Sequence, residues 1–127
     1  MRRTVLLDTN ALFLPLRTGF PLEAEIGRLV PGARIVVPAS SLRELDRLEG
    51  RSTPHAAGAR ALAERFEIVA VDAEGDDGVL KAARRERAVV VTADLELQGR
   101  ARAAGLAVLV PRDRHRLELH RERAARQ

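Results

Sequence analysis

The chain has 127 residues, 46% of them hydrophobic, a net charge of +4 and no cysteine. That is the size of one domain with a single modest core, and it excludes both a disulfide framework and a zinc–thiolate site. Three Phe and no Trp or Tyr argue against aromatic base-stacking platforms as the main way of holding a nucleic-acid strand.

After Arg2-Arg3 the chain enters Thr4-Val5-Leu6-Leu7, a short apolar run that predicts a buried strand. No apolar signal region precedes it and no apolar stretch is long enough to span a bilayer, so a cytoplasmic protein without membrane association is expected. Asp8-Thr9-Asn10 follows, then a helical segment through Leu12, Leu14 and Leu16. A second helix carries Leu22, Ile26 and Leu29 and is broken by Pro31-Gly32. Ile35-Val36-Val37 is β-branched and strand-like, and beyond Pro38 the residues Leu42, Leu45 and Leu48 lie on one helical face up to Gly50. Residues 51–54 read as a loop and 56–65 as a helix interrupted by Gly58. The remaining expectations are a strand over 66–71, a helix over 77–85, a strand over 89–91, a helix over 95–104 with Gly105 as its C-cap, and a strand over 106–110. Beyond Pro111, six arginines face three acids, which makes 111–127 a basic tail.

Strands separated by helices imply right-handed crossovers and a parallel sheet covered on both faces. The predicted fold class is α/β: a three-layer α/β/α sandwich with a central parallel sheet of four to five strands. Residues 1–110 form the domain and 111–127 the tail.

The acids can be placed on that sheet. Asp8 follows the first strand, Asp94 follows Val89-Val90-Val91, Asp76-Asp77 opens the helix after the 66–71 strand, and Glu44 lies in the first turn of the helix after Ile35-Val36-Val37. In a parallel sheet all of these project from the carboxyl edge of the strands. Crowded carboxylates repel one another unless cations neutralise them, and all-oxygen ligation suits Mg²⁺ or Mn²⁺. Such an ion supports phosphodiester hydrolysis by activating water and stabilising the leaving oxygen. Each acid also has a structural reading. Asp8 and Asp94 are well placed as N-caps, Ser41-Leu42-Arg43-Glu44 fits a capping box, and Asp76 or Asp77 favours the helix macrodipole. The histidines His55, His115 and His120 read as solvated.

These residues resemble the PIN domains, a family of metal-dependent nucleases. The resemblance covers residues 4–110 and rests on Leu7-Asp8-Thr9-Asn10, on Val37-Pro38 followed by Leu42-Arg43-Glu44-Leu45, on Asp76-Asp77-Gly78-Val79-Leu80-Lys81-Ala82-Ala83 and on Val91-Thr92-Ala93-Asp94-Leu95-Glu96-Leu97. It implies that Asp8, Glu44, Asp77 and Asp94 hold one or two Mg²⁺ or Mn²⁺ ions, with Asp76 as the alternative to Asp77 and Glu96 as a supplement to Asp94. Asp77 is favoured because Val79-Leu80 and Ala82-Ala83 then lie on the buried helix face. Asn10 and Thr92 would orient a carboxylate or the attacking water. The implied activity is endonucleolytic cleavage of RNA to a 5′-phosphate and a 3′-hydroxyl. The wording resembles the archaeal and ribosomal-RNA-processing branch more than the short toxins. The implied partners are RNA, a second copy of the chain in a homodimer, and an antitoxin or an RNA-processing protein.

Arg43 and Arg47 flank Glu44, and Arg51 and Arg60 border the loop; these are the sequence candidates for holding a phosphate backbone. The alternative function is a catalytically silent PIN-like module that binds RNA or protein, whose mark would be a missing acid; none is missing. A haloacid-dehalogenase-like phosphatase would need an acid where Asn10 stands. A phosphoaspartate receiver would need a lysine after a late strand, whereas the sole lysine, Lys81, falls in a helix.

Overall fold

The computed structural model describes residues 2–123 and realises the predicted alternation. β1 (Thr4–Leu7) leads into α1 (Thr9–Thr18) and α2 (Leu22–Leu29), and β2 (Arg34–Pro38) into α3 (Ala39–Gly50) and α4 (Ala56–Ala63). β3 (Glu67–Val69) precedes α5 (Gly75–Glu86), β4 (Val89–Val91) precedes α6 (Leu95–Ala103), and β5 (Val108–Pro111) is followed by β6 (Leu117–His120).

The strands lie in the order β3-β2-β1-β4-β5-β6. β1 pairs in parallel with β2 on one side and β4 on the other, with Val5 opposite both Ile35 and Val89. The order therefore reverses between β1 and β4, and the connections leaving their carboxyl ends diverge. An open α/β sheet forms its ligand crevice at such a switch point.

Strand alternation divides the core between the two faces of the sheet. Val5, Leu7, Val37, Val89, Val91 and Leu109 face α1–α4, whereas Leu6, Val36, Val90, Val108 and Val110 face α5 and α6. This is the expected three-layer sandwich. The helix 56–63 is almost all alanine and glycine because it packs close to α1: a Cβ on Gly58 would lie 2.8 Å from Leu16 Cδ1. Gly58 thus permits the packing and does not interrupt the helix. No helix among the described residues is long and apolar enough to cross a membrane.

The sheet exceeds the expected four to five strands. β6, which the sequence places in the basic tail, pairs antiparallel with β5 from Val108↔His120 to Pro111↔Leu117. Asp113 Oδ1 closes the connecting turn by accepting from the backbone N–H groups of His115 and Arg116 at 2.7 and 3.0 Å. Leu117 is buried in the α1–α4 face, and its backbone is clamped by α2: Glu25 accepts from Leu117 N–H at 2.9 Å and Arg28 donates to its carbonyl at 3.0 Å. One apolar side chain and a two-point clamp outweigh the surrounding arginines. Residues 124–127, the end of the predicted tail, lie outside the described residues.

Candidate active site

Asp8 sits where β1 ends and α1 begins. Its backbone N–H extends the β1–β4 ladder by donating to Val91 O at 3.1 Å. Its side chain is held by three donors: Thr9 N–H to Oδ1 at 2.7 Å, and Thr92 Oγ1 and Asn10 Nδ2 to Oδ2 at 2.8 and 3.0 Å. Asp8 therefore does cap α1, as the conservative reading expected, while its carboxylate also lines the crevice. Thr92, fully buried after β4, ties the parts together. Besides donating to Asp8, its oxygen accepts from Asp94 N–H at 3.1 Å, and Asn10 Oδ1 accepts from Ala93 N–H at 2.9 Å. Both polar neighbours that the sequence singles out thus brace the β1 and β4 ends against each other.

Asp94 is also a cap: Oδ1 accepts from Leu97 N–H at 3.0 Å at the start of α6, while the residue lines the crevice. Glu44 reaches the crevice from α3. The capping box that competed for it does not form, because α3 begins at Ala39 with Pro38 as its N-cap, and Ser41 is already inside the helix. Ser41 Oγ instead accepts from Thr9 Oγ1 at 2.9 Å, pinning α3 to α1.

The adjacent acids on α5 separate cleanly, and the preference for Asp77 is corrected. Asp76 lines the crevice; the Asp77 side chain is 77% exposed and pairs with Arg100 at 2.8 Å. Successive helical residues differ by about 100° in direction, so Asp76 shares a face with buried Val79 and Ala83 at i+3 and i+7, while Asp77 shares one with exposed Lys81 and Arg84. That spacing was available in the sequence. Gly78 sets how deeply α5 sits, since a Cβ there would lie 2.4 Å from Ala73 O and 2.8 Å from Ser40 Oγ. Glu96 is exposed and outside the crevice lining, although its charge is felt by Asp76.

The resulting crevice has a volume of about 240 Å³ and is lined by Asp8, Glu44, Asp76 and Asp94 among others. Burial pushes the Asp8 carboxyl from 3.8 up to about 6 against the lowering effect of its Thr92 and Thr9 hydrogen bonds, with the charges of Asp76 and Glu44 adding to the rise. Asp76 is raised by desolvation and then by Asp94, partly offset by Arg100, whose Nη1 is 3.8 Å from Asp76 Oδ2. Mutual repulsion among oxygen donors at one crevice is the electrostatic setting that a hard divalent cation relieves. Among the described residues no three His, Cys, Asp or Glu side chains stand close enough together, as placed, to hold a metal ion. An open all-oxygen arrangement fits Mg²⁺ or Mn²⁺, which retain several waters, better than a fully dehydrated ion.

The arginines proposed from sequence lie outside the crevice lining. Arg43 is paired with Glu74 at 2.9 Å and also donates to Val71 O, while Arg47 is 4.0 Å from the same Glu74. Arg60 is paired with Asp46 and Glu64 at 2.7 and 2.5 Å, and Arg51 is exposed at the C-terminus of α3. The cation that does line the crevice is Arg17, together with Phe13. The spacing Asn10, Phe13, Arg17 marks one helical face, the signal by which the sequence could have revealed it. Ser40, buried beside Gly78, was likewise not anticipated; its Oγ has no hydrogen-bond partner among the described residues.

The chain and its fold have counterparts among known proteins. The chain is 31% identical over 110 residues to ribonuclease VapC9 of Archaeoglobus fulgidus, covering 84% of this chain and 81% of that protein. The structure of the PIN domain endonuclease Utp24 superposes with a TM-score of 0.76 at 21% identity, over 93% of this chain and 91% of the other. A domain of a functionally unknown protein from Methanocaldococcus jannaschii superposes with a TM-score of 0.65 at 16% identity, over 87% of this chain and 92% of the other. These structural likenesses speak to the fold. Residues 5–114 match the sequence pattern of the PIN like domain, and the chain belongs to that family.

Proposed function

We propose that this chain is a Mg²⁺- or Mn²⁺-dependent endoribonuclease that hydrolyses RNA phosphodiester bonds at the crevice of Asp8, Glu44, Asp76 and Asp94. The observation that carries this reading is the delivery of four carboxylates by four different elements to one crevice at the sheet's switch point. Membership of the PIN family and likeness to a named ribonuclease support it.

The four acids would hold the ion, and the chemistry it supplies when bound is Lewis-acid polarisation of the phosphoryl group and a hydroxide-like water at neutral pH. The protein's own contributions follow from its hydrogen bonds. Thr92, Thr9 and Asn10 fix the Asp8 carboxylate in one orientation without needing to move during reaction. Asp94 commits Oδ1 to the α6 cap, which fixes its χ angles and turns the rest of the carboxylate toward the crevice. Asp76 and Glu44 supply charge from α5 and α3, whose separation Gly78 sets. RNA is the substrate in this reading. Asp77, paired with Arg100, takes no part.

Purified protein incubated with labelled single-stranded RNA should cleave it in Mn²⁺ and not in chelator. Asp8→Asn should lower cleavage by at least about a hundredfold, the scale of losing a group that stabilises the transition state. Cleavage that persists in the variant or in chelator would overturn the assignment.

A further inference from the structure

We infer that Arg17 forms a phosphate subsite for the RNA backbone beside the point of cleavage, with its guanidinium pre-set over the Phe13 ring. The inference rests on the ribonuclease reading of the crevice and deepens it.

The crevice continues from Asp8 along one side of α1, where Asn10, Phe13 and Arg17 succeed one another and Leu48 of α3 forms the facing wall. Arg17 is nine residues beyond Asp8, about 13 Å of axial rise. Its side chain runs back toward the helix N-terminus, as long helical side chains do, and places the guanidinium carbon 4.5 Å from the Phe13 ring centroid. Phe13 is buried, so the ring is a fixed surface. The guanidinium is thus oriented by an aromatic face, which leaves its N–H donors uncommitted. The sequence candidates Arg43, Arg47 and Arg60 pair with carboxylates and lie outside the crevice, whereas Arg17 lines the crevice and pairs with none among the described residues.

A basic residue in the last turn of α1 also suits the helix dipole, but that role asks for no aromatic platform and no place in the crevice. A planar fork held flat, with free donors, at one end of a groove whose other end carries four carboxylates matches a phosphodiester chain. The acid end takes the scissile phosphate through cations, and the Arg17 end takes a neighbouring phosphate directly, by bidentate hydrogen bonding. Arg17 would therefore fix the register of the strand over the acids.

The test measures cleavage of a labelled single-stranded RNA in Mn²⁺, and its binding by fluorescence anisotropy in Ca²⁺, across a salt series. Wild type, Arg17→Ala and Arg17→Lys are compared, with Arg114→Ala on the β5–β6 turn as the charge-matched control. Arg17→Ala should lose about tenfold in kcat/KM, mainly through KM, the scale of one charge-assisted contact. It should also flatten the plot of log affinity against log salt by about 0.7, one single-strand phosphate contact. Arg17→Lys should recover the salt slope but only part of the affinity, and Arg114→Ala should match wild type. Arg17→Ala with wild-type KM and slope would overturn the subsite alone. RNA binding that depends on Arg17 without any cleavage would support the subsite and overturn the nuclease reading, and a wild-type protein that does not bind RNA would overturn both.

Discussion

Asp8 has two duties that oppose each other. It caps α1 and joins β1 to β4, which requires burial, and it carries charge into the crevice, which burial penalises. Its carboxyl is raised from 3.8 to about 6, so the folded state binds its proton more tightly than the unfolded chain does. For a raised folded pKa, the stability contribution is full below 3.8 and is lost as pH rises to about 6. At pH 7 the loss is about 3 kcal/mol on the linkage scale. In chelator, Asp8→Asn should therefore raise the melting temperature at pH 7, and the gain should vanish near pH 4. A variant that is destabilised at pH 7 in chelator would show that capping outweighs charge burial. Asp76 and Asp77 provide a second test at this scale. Asp76→Asn should abolish cleavage, whereas Asp77→Asn, which removes only an exposed ion pair, should retain activity within about threefold and change stability by less than about 1 kcal/mol. Comparable losses in both would mean that the Arg100–Asp77 pair holds α6 against α5 during catalysis.

At the scale of elements, the site depends on how closely α5 approaches α3. Gly78 faces Ala73 O and Ser40 Oγ with no room for a methyl group, and the carbonyl belongs to the backbone, which yields poorly. Gly78→Ala should cost about 1–3 kcal/mol in a urea titration. It should also lower kcat/KM by about 10- to 100-fold at temperatures where the variant is fully folded, because Asp76 is carried outward with the helix. Unchanged activity in a folded variant would mean that Asp76 need not be held at its present depth. β6 is secured by α2 in a similarly local way. The Arg28 side chain and then the Leu117 N–H hold the Glu25 carboxyl down at about 2, from an ordinary 4.5. A lowered folded pKa contributes stability above 4.5 that is lost as pH falls toward 2. Amide exchange at Leu117 should accelerate across that window before exchange in β1 does. Simultaneous acceleration would show that β6 opens only with the whole sheet.

At the scale of the molecule, β6 makes the C-terminal segment part of the fold. Leu117→Ala should destabilise the protein by about 2–4 kcal/mol, as for a buried leucine, where a solvated tail would tolerate the change. The order of strands and helices through β5 was legible because each element carries its own periodicity: Ile35-Val36-Val37 and Val89-Val90-Val91 as buried strands, and Leu42, Leu45 and Leu48 as a helical stripe. The acids at Asp8, Glu44 and Asp94 were legible because they follow strands, and parallel strands share one carboxyl edge. Three features were not legible for distinct reasons. Leu117 and Leu119 alternate as a strand should, but the arginines around them hid the pattern. Ser41-Leu42-Arg43-Glu44 has the spacing of a capping box, yet α3 starts earlier, at Ala39. The arginines beside Glu44 in sequence are drawn into ion pairs with Glu74, a residue 31 positions away from Arg43. What the sequence by itself determined is therefore the order of elements through β5 and the sheet edge on which the acids gather, because these follow from local periodicity and strand direction. Only the tertiary structure decided how deeply α5 seats Asp76 against α3, that β6 completes the sheet and that the arginines flanking Glu44 turn to Glu74 while Arg17 stays unpaired in the crevice. Those choices depend on helix depth, cross-sheet clamps and competition among long side chains, which are set by contacts between residues distant in the chain.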